Sequence, residues 1–144
     1  MHSLRLTLAA LLTTCCVLLA EAQFAKTMHT SIEADSVSAI TVDLQGDVSV
    51  ESWDGNTVLV ETSVKLYNAS KGVFEYFVER AGRYDVLTEA SAGGLRIYSK
   101  DAERKIIQTK NGTSSEEVVV IVRLPKEFEG TGNGPYVRAE TDPG

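Results

Sequence analysis

The clearest regularity in the chain runs from Ile40 to Glu61. Apolar residues hold even positions, at Ile40, Val42, Leu44, Val48, Val50, Val58 and Val60, while Thr41, Asp43, Asp47, Ser49, Glu51 and Glu61 fill most of the gaps. A period of two belongs to strands with one buried face and one wet face. The predicted strands are Ala39–Leu44, Asp47–Ser52 and Thr57–Leu66, the last carrying Val64 and Leu66 in the same phase. Gly46-Asp47 and Asp54-Gly55-Asn56 fall between them, where short turns belong. The stretch therefore reads as a strand meander.

The same period recurs on either side. Phe24, Met28, Thr30 and Ile32 predict a first strand over Thr27–Glu33, followed by a turn at 34–38. Tyr84, Val86 and Thr88 return to it. Gly93-Gly94 makes a tight turn, and Leu95, Ile97 and Ser99 form the returning strand, with Arg96 and Tyr98 on its other face. Val118-Val119-Val120-Ile121-Val122 is continuously apolar, as in a strand buried on both faces. Leu124-Pro125 ends it, because Pro has no N–H to donate to a ladder. From 101 to 116 the chain is polar apart from Ile106-Ile107, which extend a strand if Asn111-Gly112 is a hairpin turn. Beyond the Gly-rich run 129–134, Tyr136–Ala139 predicts a last short strand, and 140–144 reads as a frayed tail.

One segment changes period. Val73, Phe74, Phe77, Val78 and Ala81 share one face of a helix. Ser70 is a suitable N-cap and Gly82 a suitable stop, so the spacing predicts a helix over 70–81. Gly72 weakens it by about 1 kcal/mol relative to Ala. The competing reading is a strand, since Val-Phe-Glu-Tyr-Phe-Val is β-prone; the helical period matches better. The predicted class is mainly β with one short helix.

The start of the chain is of another kind. His2-Ser3-Leu4-Arg5 is a short basic opening, Leu6–Ala20 is uncharged and apolar, and Ala20-Glu21-Ala22 places small residues before a cut ahead of Gln23. That is the layout of a secretory signal peptide over 1–22. The apolar run falls short of the about 20 residues a membrane span needs, which disfavours the alternative of an uncleaved anchor. Leu12-Thr13-Thr14-Cys15 loosely resembles a lipoprotein cleavage box, but Thr14 is not small, so lipid on Cys15 or Cys16 is the other alternative. Both cysteines lie inside the segment that would be removed, which leaves the mature chain no disulfide. The predicted organisation is a signal peptide at 1–22, a β-rich domain at 23–126 and a Gly-rich extension at 127–144. Export implies a periplasmic, outer-membrane-associated or extracellular location.

Charge narrows the partners. The formal net charge is −6, and loss of Arg5 with Glu21 leaves it unchanged. Such a surface repels phosphate backbones, so nucleic acid is not an expected partner. No second apolar run is long enough to span a bilayer.

Candidate chemistry is sparse. His29 is the one histidine after residue 22, and it sits off the apolar phase of the first strand, as an exposed residue would. A Ser-His-Asp site or a zinc site would have to be built on it alone. Glu116-Glu117 and the pair Asp101 and Glu103 read as solvated faces rather than acid–base pairs. Asp43, Asp47, Glu51 and Asp54 lie near turns but lack the spacing of a calcium loop. Gly93-Gly94 and Gly130, Gly132 and Gly134 are not phosphate cradles, since no helix or Lys-Ser/Thr follows. Asn68-Ala69-Ser70 and Asn111-Gly112-Thr113 match glycosylation acceptors by composition. Trp53 falls on the opposite phase from the valines, just before a turn. It reads either as a cap on the end of the core or as an exposed stacking platform.

The unit Gly46-Asp47-Val48-Ser49-Val50-Glu51-Ser52-Trp53-Asp54-Gly55, followed by Val58-Leu59-Val60-Glu61, resembles the opening of an adhesin-type domain family of bacterial envelope proteins, of the head-GIN kind. Leu95-Arg96-Ile97-Tyr98 and Val120-Ile121-Val122-Arg123-Leu124-Pro125 continue the likeness in order, over roughly Thr27 to Pro125. The resemblance implies a β-helix-like or solenoid-like domain outside the cytoplasm, with β-sandwich-like packing as the other form. The family is of unknown function, and no functional residue carries over from it. Its members continue after Leu-Pro into repeated short rungs; here Tyr136–Ala139 is the one candidate rung, as expected of a shortened or truncated member.

Two functions follow as expectations. One is a non-catalytic exported protein of adhesin-like type, with no cofactor, that binds or displays through open strand edges. It would associate with itself or with an envelope protein or glycan. The other is an exported polysaccharide hydrolase using Asp54 or Glu51 beside Trp53, which rests on analogy of fold.

Overall fold

The computed structural model of the chain describes residues 23–140. The predicted signal peptide at 1–22, with Cys15 and Cys16, and residues 141–144 lie outside the described residues.

The described chain is mainly β, in two sheets with one helix. The strands are β1 (Gln23–Glu33), β2 (Ala39–Asp43), β3 (Asp47–Trp53), β4 (Thr57–Tyr67), β5 (Val86–Ser91), β6 (Gly94–Ser99), β7 (Ile107–Thr109), β8 (Gly112–Pro125), β9 (Phe128–Glu129) and β10 (Tyr136–Arg138). One sheet has the order β1-β4-β8-β3, with β7 pairing onto the start of β8. The other has the order β5-β6-β2-β10-β9. The inward rows of both sheets meet in one core. Ile40, Val42, Val58, Val60, Val64, Leu66, Leu95, Ile97, Val120 and Val122 are all buried there, as the alternation predicts.

The strands of Ile40–Glu61 are present, but they do not form a meander. β2 belongs to one sheet and β3 to the other, and β8 lies between β3 and β4. Each of the first two strands instead lies parallel to a strand from later in the chain. Ile40 pairs with Leu95 between β2 and β6, and Val48 with Val120 between β3 and β8. The corner that carries the chain from one sheet to the other is fixed by β6 and the segment that follows it. The Gln45 N–H donates to Ser99 Oγ at 2.9 Å, and Arg104 Nη1 donates to the Gln45 carbonyl at 3.3 Å. Gly46 is required at this corner. Its φ is +116°, and a Cβ there would stand 2.8 Å from the Val118 carbonyl oxygen.

The predicted helix is present. Ser70 Oγ accepts from the Val73 N–H at 3.2 Å and caps α1 (Lys71–Glu75). The helix then widens over Tyr76–Arg80, where the Ala81 N–H reaches back to the Tyr76 carbonyl. Gly82, at φ +61°, ends it in the left-handed region, and the Arg83 N–H closes on the Phe77 carbonyl. Phe74 and Val78 are buried, and Phe24 of β1 stacks on Phe74 with centroids 5.8 Å apart.

Other expectations need correction. β8 is not buried on both faces. Val118, Val120 and Val122 are buried, but Val119 and Ile121 are half-buried beside Ser63, Glu61, Asp47 and Ser49 of the flanking strands. The apolar run reflects its central position, where neighbouring side chains rather than a second layer cover the outer face. β7 does form, yet Ile106 is 74% exposed and only Ile107 enters the core. Thr109 pairs with Gly112, so the turn is Lys110-Asn111 and not Asn111-Gly112. β5 is exposed after Val86, as an edge strand of its sheet. β10 pairs antiparallel with β2, unlike the parallel pairs β2–β6 and β3–β8.

Candidate functional site

The open side of β3 is the first candidate. β3 pairs with β8 along one side, and among the described residues no strand pairs with the other. Its inward row, Val48 and Val50, is only half-buried, whereas the matching valines of β4 and β8 are enclosed. Asp47, Ser49 and Glu51 form its exposed outer row. A groove of about 560 Å³ runs beside it, lined by Val50, Ser52, Leu124, Phe128, Gly130 and Tyr136. The far wall of the groove is the segment that leads to β10. Arg138 anchors that segment, donating to the Val37 carbonyl at 3.0 Å and the Ala34 carbonyl at 2.5 Å and pairing with Glu127 at 3.0 Å. Tyr136 adds a hydroxyl bond to the Gly132 carbonyl.

Trp53 closes one end of β3. Its indole Nε1–H donates to the Thr57 carbonyl at 2.8 Å, and its ring lies so close over Gly55 that a Cβ there would collide with it. The polar handle of the indole is thus spent inside its own turn, which is how a capping residue behaves. The carboxylates beside it do not converge. Asp54 is 98% exposed and stands 3.8 Å from Lys126, while Glu51 stands 3.7 Å from Arg123.

The second candidate is a polar cluster under the end of the helix. Arg83, with its side chain 6% exposed, grips Glu116 through Nη2 at 2.8 Å and Nε at 3.1 Å and donates to the Lys105 carbonyl at 2.8 Å. The Tyr84 hydroxyl donates to the same carboxylate. Asp101 stands 3.9 Å from Arg83 Nη1 and accepts the Arg104 N–H at 2.9 Å. The Arg104 guanidinium lies 5.1 Å from the centre of the Tyr84 ring. Burial alone would lift the Glu116 carboxyl, but the hydrogen bonds from Arg83 and Tyr84, with the charges of Arg83 and Arg104, outweigh it and hold the group below the usual carboxylate range. Burial, then the bond and charge of Glu116, push the Tyr84 phenol well up. Burial lowers the Arg104 guanidinium. Glu116 was expected on a solvated face and is instead the centre of this cluster. Three donors converge on its two oxygens, so Glu116 acts as a clamp between the helix end and β8.

The remaining singled-out residues lie apart. His29 is 69% exposed and 3.3 Å from Glu61. Glu117 is exposed and accepts the Tyr67 hydroxyl at 3.0 Å. Glu103 is exposed. Asn68 donates to the Thr113 carbonyl at 3.1 Å, and both Asn68 and Asn111 line a groove of about 720 Å³ with Ser70, Gln108 and Lys110. Among the described residues no three His, Cys, Asp or Glu side chains come together as a metal would need, and no helix is long and apolar enough to cross a membrane.

Sequence reasoning missed the cluster because its members are far apart in the chain. Arg83 and Glu116 have no spacing signal between them; only the fold brings the helix exit onto the start of β8. A charged residue beside an aromatic one directly after a helix stop, as at Arg83-Tyr84, is the one local trace. No family model, no curated protein and no solved structure matches the chain.

Proposed function

We propose that this chain is a non-catalytic, exported, adhesin-like domain that binds or displays at the cell envelope. In this reading the fold is solenoid-like, and the open edge of β3 is where binding occurs. The observation that carries it is the parallel pairing of β2 with β6 and of β3 with β8, the second of which leaves β3 with an edge that is unpaired among the described residues and flanked by a groove. Unpaired strand edges recruit strands from partners. The fixed turn of Trp53 and the doubly occupied Glu116 support a scaffold more than a reaction centre. Location rests on the sequence of 1–22.

The full chain, immobilised and exposed to envelope extracts, peptidoglycan and a glycan panel, is expected to retain a specific component. Retention of nothing from any of these would sink the reading. So would glycan turnover abolished by Asp54→Asn, which would favour a hydrolase.

A further inference from the structure

The binding reading leaves the partner unnamed, and the open side of β3 narrows it. Among the edge strands of the two sheets, β3 alone combines an unfinished apolar row with an adjoining groove. β1 is also an edge with a half-buried row at Met28 and Ile32, but the helix covers one end of it, where Phe24 stacks on Phe74 and Lys26 reaches Glu79 at 3.4 Å, and no groove adjoins it among the described residues. A lysine on an edge also discourages pairing. β5 has no inward row beyond Val86, and β9 is two residues long. β3 carries neither Lys nor Pro. Val48 and Val50 stop half-covered at its side, and Ser52, in the same phase, is exposed.

The rim of this edge is acidic. Asp47, Glu51, Asp54 and Glu129 surround it, set against Arg123 and Lys126. Arg123 is already shared between Glu51 and Glu61, and Lys126 faces Asp54. β3 runs parallel to β8, as β2 does to β6. On the β2 side the next place is taken by β10, which runs antiparallel, so an added strand of either sense continues the pleat and the inward row.

Resting on the binding reading, we infer that the open edge of β3 takes an extended segment of a partner protein as an added strand. Its inward row is of small apolar residues that complete the cover over Val48 and Val50. Its outward row is basic, opposite Asp47 and Glu51. Backbone bonds to the β3 edge supply affinity, and the alternation supplies specificity.

The test uses the full chain and two synthetic decapeptides, alternating Val-Lys and alternating Val-Glu. Binding is followed by Trp53 emission, the chain having a single tryptophan at the end of β3, and by amide NMR shifts. The expected result is saturable binding of the Val-Lys peptide with shifts centred on Asp47–Trp53, about ten-fold tighter than the Val-Glu peptide. In the double variant Asp47→Lys, Glu51→Lys, checked for an unchanged circular dichroism spectrum, the preference should invert. Absence of binding, shifts centred on β1 or β5, or a preference that the double variant leaves unchanged would each overturn the inference. β3 amide protection that rises with protein concentration alone would assign the edge to a second copy and also overturn it. An envelope component still retained by the double variant would preserve the binding reading while this inference fails.

Discussion

Arg83 holds both carboxylate oxygens of Glu116, with Nη2 on Oε1 and Nε on Oε2, at 2.8 and 3.1 Å. Removing one partner of a buried pair strands the other. Glu116→Gln should therefore cost roughly 3 kcal/mol, the low end for such pairs, because the Glu116 side chain keeps 23% exposure. In a domain of this size that lowers the melting temperature by about 12 °C. The double variant Arg83→Met, Glu116→Leu should recover most of the loss, since two apolar groups leave no stranded charge. A double variant no more stable than Glu116→Gln would show that the clamp is not an isolated pair.

The same pair sets an acid limit. The Glu116 carboxyl is held low in the folded chain, where Arg83 and Tyr84 outweigh burial. A depressed carboxyl contributes stability that is full above its unfolded pKa of about 4.3 and is lost as pH falls through the lower folded value. Tyr84 acts in the opposite sense: its raised phenol contributes stability that is present below the unfolded pKa of about 10 and is lost as pH rises above it. Chemical denaturation of wild type and Glu116→Gln should converge as pH drops from 5 towards 3. Curves that stay parallel through that window would refute the assignment.

Gly46 should tolerate no side chain. Gly46→Ala would force a Cβ against the Val118 carbonyl oxygen at a φ of +116°. Backbone strain of this kind costs about 1–3 kcal/mol, before any displacement of β8 is counted. Calorimetry of the variant checks it, and an unchanged midpoint would mean that the corner is free to move.

Trp53 should report on its own turn. Gly55→Ala would push the indole off the Thr57 carbonyl. The expected result is a shifted emission spectrum and a loss of about 1–3 kcal/mol from overpacking. An unshifted spectrum would contradict the stacked geometry.

Local patterns were readable where a residue's environment is set by its neighbours in sequence. The even-position apolar residues of β2 and β4 entered the core and those of β3 pack half-buried against it, and Ser70 and Gly82 bound the helix as their chemistry requires. Pairing was not readable. Gly46-Asp47 and Asp54-Gly55-Asn56 are credible hairpin turns, yet they carry the chain between sheets and past β8. A turn specifies a change of direction, not which strand fills the gap. The Val118–Val122 run misled for a related reason: a central strand is shielded by its flanking strands even when one face meets no other layer. The open edge of β3 was likewise legible only as a general expectation of exposed edges, because which strand is left unpaired depends on β8.

That dependence has a kinetic consequence. Val48 waits for Val120 and Val60 for Val122, so the stretch with the strongest strand pattern cannot settle until the last third of the chain has emerged. β1 and β4 can meet earlier, as can β5 and β6, but neither pair joins the two sheets. Closing such long loops before they are rewarded by contacts slows folding. The fold should remain unfinished well after the first hundred residues are made, with β3 placed only when β8 arrives to serve as the common neighbour of β3 and β4.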